Sequence, residues 1–309
     1  LDEDSRALLS VIEAWDVPSL EDASLEQLRA RNAANLLTLM APGEPVAQVE
    51  PLRVRVAHGE LALRAYRARV GELAPALLYL HGGGWIAGSV DVEDAICRRL
   101  ANGAACTVLS LEYRLAPEHP FPAPLEDAYA ALAWVAANAR ELELDADRVG
   151  VCGQSAGGSL AAALTLLAAR RGGPAIAFQA LLCPALDASM AQPSWRELGS
   201  GYTLEEADLA GAWRRFRGDA PADDPLVSPL LASPTAPLPP TSIVAAECDP
   251  LRDEALAYGA LLARAGTDVR VRCWPGQLHS FYLYTARLPL AAAALEDVVC
   301  ELRRGLHGA

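Results

Sequence analysis

Two short stretches hold residues that could do chemistry together. The first is Gly153-Gln-Ser155-Ala-Gly157, in which a serine stands between glycines two residues away on either side. A serine so placed sits on a sharp turn between a strand and a helix, where a larger neighbour would crowd the strained backbone. Average Gly and Ser usage yields G-x-S-x-G by chance in roughly one chain in ten of this length, so the pattern needs company. The second stretch, His81-Gly82-Gly83-Gly84-Trp85, supplies it. Consecutive glycines let backbone N–H groups converge on a small anion with no side chain in the way. Ser155 is thus the candidate nucleophile, and the N–H groups of Gly82, Gly83 and Ala156 are the candidate donors for an oxyanion. The bland alternative for the glycines is a flexible turn. Trp85, beside them, reads equally as a wall of a substrate pocket or as packing beneath a lid.

A serine hydroxyl needs a neutral imidazole to take its proton, and the imidazole needs a carboxylate to hold its tautomer. Of the five histidines, only His279 and His307 follow Ser155. His307 lies in a polar tail and reads as a frayed surface residue. His279, in Pro275-Gly-Gln-Leu-His-Ser-Phe281, follows an apolar strand and is the candidate base. Asp249, at the end of another strand, is the candidate acid, with Asp253 in reserve; Asp253 and Glu254 fall where helix N-terminal carboxylates ordinarily serve the dipole. His81 reads as a brace for the glycine loop, and His119 as one for a Pro-rich turn.

The elements that must position these residues follow from periodicity. From residue 76 onward, continuous apolar strands at 76–80, 107–113, 148–153, 178–183, 242–247 and 269–274 alternate with helical patterns at 92–102, 125–140, 156–170, 253–265 and 289–305. That alternation marks a mostly parallel sheet buried on both faces, an α/β fold. Ahead of it, Leu52, Val54 and Val56 alternate with Arg53 and Arg55, and 61–68 would pair with them as an edge hairpin across His58-Gly59. Two amphipathic helices come first. One carries Leu8, Leu9, Ile12 and Trp15 on one face and stops before Pro18; the other starts at a Ser24-x-x-Gln27 capping box. The alternation breaks over 185–240, with 190–201 irregular and a helix at 204–217. An insertion there lands above the strand ends, where open α/β sheets bind ligands. The expected organisation is therefore N-terminal lid helices at 1–45, a core at 46–184, a cap insertion at 185–225 and the rest of the core at 226–309.

Composition bounds the function. The 309 residues are 52% apolar, enough for one large core, and carry a net charge of −13 with a pI near 4.9. Such a surface repels phosphate backbones and anionic lipid, so neither nucleic acid nor membrane is an expected partner. All 26 basic residues are Arg, which excludes lysine Schiff-base chemistry within the chain. The seven cysteines form no C-x-x-C pair and read as buried free thiols, placing the protein in a reducing, cytoplasmic compartment. The acidic start shows no export pattern, and no run of 18 apolar residues suggests a membrane span. Neither a metal nor an organic cofactor is called for.

The chain resembles the hormone-sensitive-lipase-like esterases of the α/β-hydrolase superfamily, also called bacterial family IV. The resemblance is carried by His81-Gly-Gly-Gly-Trp85, Gly153-Gln-Ser-Ala-Gly-Gly158, Glu112-Tyr-Arg-Leu-Ala-Pro-Glu-His-Pro-Phe-Pro-Ala-Pro124 and Asp249-Pro-Leu-Arg-Asp-Glu254. It implies an α/β-hydrolase fold with a helical cap, hydrolysis of small, short-chain acyl esters, a homodimer in many members, and the first Asp of the last motif, Asp249, as the acid. One residue departs from the pattern. Gln154 stands before the serine, where the family usually has an acid. Two other readings share the scaffold: an amide hydrolase with the same three residues, and a noncatalytic receptor of the kind that lacks the histidine, which His279 argues against.

Overall fold

The computed structural model describes residues 1–15, 24–56 and 59–308. Pro18 and His58, which the sequence reading places in a helix stop and a hairpin turn, lie outside them. Eight strands form one sheet: β1 (Gln48–Val56), β2 (Gly59–Arg67), β3 (Ala74–Leu80), β4 (Thr107–Glu112), β5 (Leu144–Gln154), β6 (Phe178–Leu182), β7 (Thr241–Cys248) and β8 (Val269–Leu278). Their order is β1-β2-β4-β3-β5-β6-β7-β8. β1 and β2 are the expected edge hairpin, β2 pairs antiparallel with β4, and every pair from β4 to β8 is parallel.

Nine helices accompany the sheet among the described residues: α1 (Glu3–Glu13), α2 (Leu25–Leu37), α3 (Asp94–Ala104), α4 (Ala123–Asn138), α5 (Ala156–Arg171), α6 (Pro193–Leu198), α7 (Glu206–Arg217), α8 (Arg252–Arg264) and α9 (Pro289–His307). The period-two geometry of the strands sorts their side chains into two cores. On β3, Leu78 and Leu80 join Leu132 of α4, Leu160 of α5 and Leu262 of α8 on one face. Leu77 and Tyr79 join Leu100 of α3, Leu302 of α9 and Leu8 of α1 on the other.

The capping box of α2 forms as expected, Ser24 Oγ accepting from Gln27 N while Gln27 Oε1 accepts from Ser24 N. This helix is tied to two motif loops through Arg29, whose Nε donates to Ile86 O at 2.6 Å and whose NH groups grip both oxygens of Glu118. Three differences from the sequence reading concern the insertion and the strands. Residues 190–201 contain the short helix α6, anchored because Trp195 is buried and its Nε1 donates to Glu254. β5 begins at Leu144 and β8 continues to Leu278, so Ser155 and His279 each follow directly on a strand end.

Candidate active site

Ser155 occupies the tight turn between β5 and α5 at φ 52°, ψ −115°, a backbone state costly for a residue with a Cβ. What holds it there is visible at the flanking glycines. A Cβ on Gly153 would lie 2.0 Å from Gly157 O, and one on Gly157 would lie 2.0 Å from Leu80 O and 2.4 Å from His81 O. Strand, turn and helix therefore close on each other only without side chains at 153 and 157. Ser155 N donates to Leu182 O at 2.8 Å, tying the turn to β6.

His279 Nε2 lies 2.9 Å from Ser155 Oγ, and its Nδ1 lies 2.8 Å from Asp249 Oδ2. The carboxylate is 1% exposed. Its other oxygen accepts from Leu251 N at 2.9 Å, an Asx-type turn at the mouth of α8 that fixes which oxygen faces the ring. A carboxylate oxygen accepts, so Nδ1 carries the proton and Nε2 is left with a lone pair toward the hydroxyl. Asp253 is turned elsewhere: it accepts from Ser194 N of α6 and pairs with Arg252. His307 is remote and bonded rather than frayed, its Nε2 meeting Ala104 O at 2.8 Å. His119 is exposed, and its backbone N–H donates to Leu115 O.

The glycine loop follows β3. A trans peptide points its C=O and the next N–H in opposite directions, so the acceptor bonds of the loop reveal where its donors aim. His81 Nδ1 meets Gly82 O at 2.7 Å; a carbonyl only accepts, so Nδ1 donates, and the N–H of Gly83 faces away from His81. Gly83 O accepts from Ile86 N and Ala87 N, so the N–H of Gly84 faces away from that turn. Both glycines have positive φ, 113° and 61°.

The N–H of Gly82 is committed instead, donating at 2.9 Å to the buried carboxylate of Glu93. This corrects the expectation that Gly82 is an oxyanion donor. Among the described residues, the donors left open are those of Gly83, Gly84 and Ala156, the last being the first residue of α5 and lacking an intrahelical acceptor. His81 is the brace the sequence suggested, stacked on Tyr113 at 4.2 Å, and burial lowers its pKa to about 4, so it stays neutral. Tyr113 also donates to His81 O. Trp85 has no exposed surface; it stacks on Phe216 at 4.5 Å and Trp213 at 4.1 Å of α7, which is the packing reading rather than an open pocket wall.

Gln154 is singled out by the sequence as a departure, and three further contributors, Ser280, Glu93 and Cys183, are ones the sequence did not point to. Gln154 lies over the loop, its Oε1 1.5 Å from where a Gly82 Cβ would be, and its Nε2 donates to Ser280 Oγ, next to His279. Ser280 itself has φ 57°. Glu93 and Cys183 come from elements with no motif. Cys183, Asp249 and His279 place potential ligand atoms within 4.8 Å of one another, the one such trio among the described residues, but Asp249 and His279 already satisfy each other. Burial and the Asp249 charge push the Cys183 thiol well up, keeping it protonated. All seven cysteines are free; five are buried, while Cys273 and Cys300 are exposed. No helix among the described residues is long and apolar enough to cross a membrane.

A family model of the alpha/beta hydrolase fold matches residues 77–283. Esterase LipI of Mycobacterium tuberculosis is 37% identical over 307 residues, covering 97% of this chain and 95% of its own. Ethyl acetate hydrolase of Pseudomonas putida is 40% identical over 252 residues, 80% of this chain and 79% of its own. An ester hydrolase from the Lake Arreo metagenome, solved with a derivative of bipyridine phosphonate, superposes with a TM-score of 0.94 at 35% identity, covering 100% of this chain and 99% of that one. With the model matching more than half of its length and relatives this similar, the chain belongs to the α/β-hydrolase family of esterases.

Proposed function

We propose that this carboxylic-ester hydrolase works by acyl transfer to Ser155, with His279 as base, Asp249 as its carboxylate partner, and the N–H groups of Gly83, Gly84 and Ala156 as the oxyanion hole. The observation that carries the reading is His279, within 2.9 Å of the serine oxygen through one nitrogen and 2.8 Å of a buried carboxylate through the other. In acylation, Oγ attacks the ester carbonyl carbon while its proton passes to Nε2. The carbonyl π electrons move onto oxygen, where the three N–H groups and the positive end of α5 meet them. Collapse of that intermediate expels the alkoxide, which takes the proton from Nε2 and leaves as alcohol. Water then repeats the sequence on the acyl-enzyme and releases the acid.

The substrate reading is a small, short-chain acyl ester. It is supported by the closed aromatic stack of Trp85, Trp213 and Phe216, which fills the space between the glycine loop and α7. A relative named for ethyl acetate points the same way. We read α1, α2, α6 and α7 as the roof over the site.

The test compares wild type and Ser155→Ala on p-nitrophenyl acetate, butyrate, octanoate and palmitate, with intact mass measured after an organophosphate. Wild type is expected to hydrolyse the short esters fastest and gain one phosphoryl adduct, and the variant to lose both. Equal turnover by the variant would remove Ser155 from the mechanism. A rate that climbs steeply above the micellar threshold of long-chain esters would overturn the substrate reading.

A further inference from the structure

The oxyanion reading leaves one strong group unexplained, a carboxylate lying under the glycine loop. Glu93 directly precedes α3 without capping it through its side chain, is 3% exposed and forms no ion pair among the described residues. One oxygen accepts from Gly82 N at 2.9 Å, and the other accepts from the Tyr79 hydroxyl, itself 0% exposed on β3. The groups that face it are all neutral or acidic: Tyr79, Tyr113 of the segment after β4, Cys97 of α3, Cys152 of β5 and Tyr282 after β8. A buried carboxyl with no cation is expensive to keep, and a hydrophobic residue there would be cheaper.

Its position suggests why it is there. Three successive peptide planes make the loop. The plane between His81 and Gly82 is gripped by Tyr113 at its carbonyl and by Glu93 at its N–H. The next is gripped by His81 at Gly82 O, and the third by Ile86 and Ala87 at Gly83 O. The donors proposed for the oxyanion belong to the second and third planes. A rotation of the first plane passes to both through the φ and ψ of Gly82 and Gly83, residues with no Cβ to resist it.

We propose that Glu93 is a positioning residue for ester hydrolysis, holding the Gly82 N–H so that the N–H groups of Gly83 and Gly84 aim at the oxyanion. The inference rests on the oxyanion-hole reading above. Glu93 touches no reacting atom. Burial raises its pKa to about 7, so it works as an acceptor whose charge is weakly held.

Glu93→Leu removes both acceptors at similar volume, Glu93→Gln keeps one carbonyl acceptor for Gly82, and Tyr79→Phe removes the other partner while leaving the Gly82 bond intact. Steady-state rates on p-nitrophenyl butyrate and the rate of organophosphate adduct formation at Ser155 are measured for all three. Losing a whole oxyanion donor costs about 100- to 1,000-fold, so a loosened pair should cost about tenfold in kcat. We expect that loss in Glu93→Leu with KM held within about twofold, a parallel loss in adduct rate, rescue to within about threefold by Glu93→Gln, and wild-type kcat in Tyr79→Phe despite a lower melting temperature. Should Glu93→Leu fail to fold, Tyr79→Phe/Glu93→Leu, which leaves no orphaned hydroxyl, is measured in its place against the same expectation. A kcat unchanged in the Leu variant overturns the proposal. So does an equal loss in Gln and Leu, or an equal loss in Tyr79→Phe, which would mark a merely structural role. If wild type itself formed no adduct at Ser155, the failure would belong to the nucleophile reading rather than to Glu93.

Discussion

Replacing Asp249 with Asn tests the proposed mechanism at its most determined point. Leu251 N donates to Oδ1 at 2.9 Å, so the carbonyl oxygen of an asparagine is held on that side and its NH2 must face His279. Nδ1, 2.8 Å away, can then only accept. The ring proton moves to Nε2, which points at Ser155 Oγ and can no longer take its proton. Restoring the working tautomer would set two N–H groups against each other in a site 1% exposed, at roughly 1–3 kcal/mol. The imidazolium of the transition state also loses its buried partner, a further loss of roughly 3–5 kcal/mol. A barrier raised by about 5.5 kcal/mol slows kcat about 10⁴-fold. The measurement is kcat and KM on p-nitrophenyl butyrate beside circular dichroism, with KM expected to change little. A folded variant that loses less than tenfold would refute the tautomer argument, and an inactive Asp253→Asn beside it would move the acid to that residue.

The glycine on the far side of the serine is expected to be intolerant: Gly157→Ala puts a Cβ 2.0 Å from Leu80 O, a backbone atom, and should cost roughly 3 kcal/mol or more, seen as loss of soluble folded protein or a large drop in urea midpoint. Gln154→Ala removes the hydrogen bond to Ser280 beside the proposed base and should lower kcat by about 5- to 30-fold, about 1–2 kcal/mol, without moving KM; an unchanged kcat would mean that Ser280 holds its left-handed turn unaided. Stability should fall as pH rises. Glu93 and Glu254 release protons near 4.5 when unfolded but, desolvated by burial, only near about 7 and about 8 when folded. The folded state binds more protons in that window, so the contribution present below pH 4.5 is lost as pH climbs through 7 and 8, by about 3 kcal/mol for Glu93 alone. Urea unfolding at pH 5 and pH 8.5 should show the fall in wild type and a flatter one in Glu93→Gln; parallel falls would show that ionised Glu93 is not penalised.

What could be read from the sequence and what could not divide along a physical line. Ser155, Asp249 and His279 were legible because each is tied to a local event: a strained turn with glycines at 153 and 157, and polar residues directly after apolar strands. The distances between them need the sheet order β5-β6-β7-β8, which right-handed α/β winding makes nearly obligatory once the strands are recognised. α6 was missed because six residues carry little periodicity, and its anchor is a tertiary bond from Trp195 to Glu254, 59 positions on.

The proposed oxyanion donors divide differently: Gly83 and Ala156 stand as read from the sequence, and Gly82, bonded to Glu93, gives way to Gly84. Three glycines in a row show that N–H groups can converge but not which ones remain open, because that depends on what grips each carbonyl and N–H. Here the grips come from Tyr113, His81, Glu93 and the N–H groups of Ile86 and Ala87, and only His81 lies within the glycine motif. A lone Glu at the start of α3 reads as a charge serving the helix dipole; its burial against Tyr79 and Gly82 appears only when β3 and α3 are packed together. The attacking side of the proposed reaction is therefore set by short-range backbone strain, which a motif records. The side that receives the developing charge is set by long-range hydrogen bonds, which a motif does not record. A substitution outside every motif, at Glu93, should then change the rate of the chemical step while leaving the nucleophile's geometry as it is.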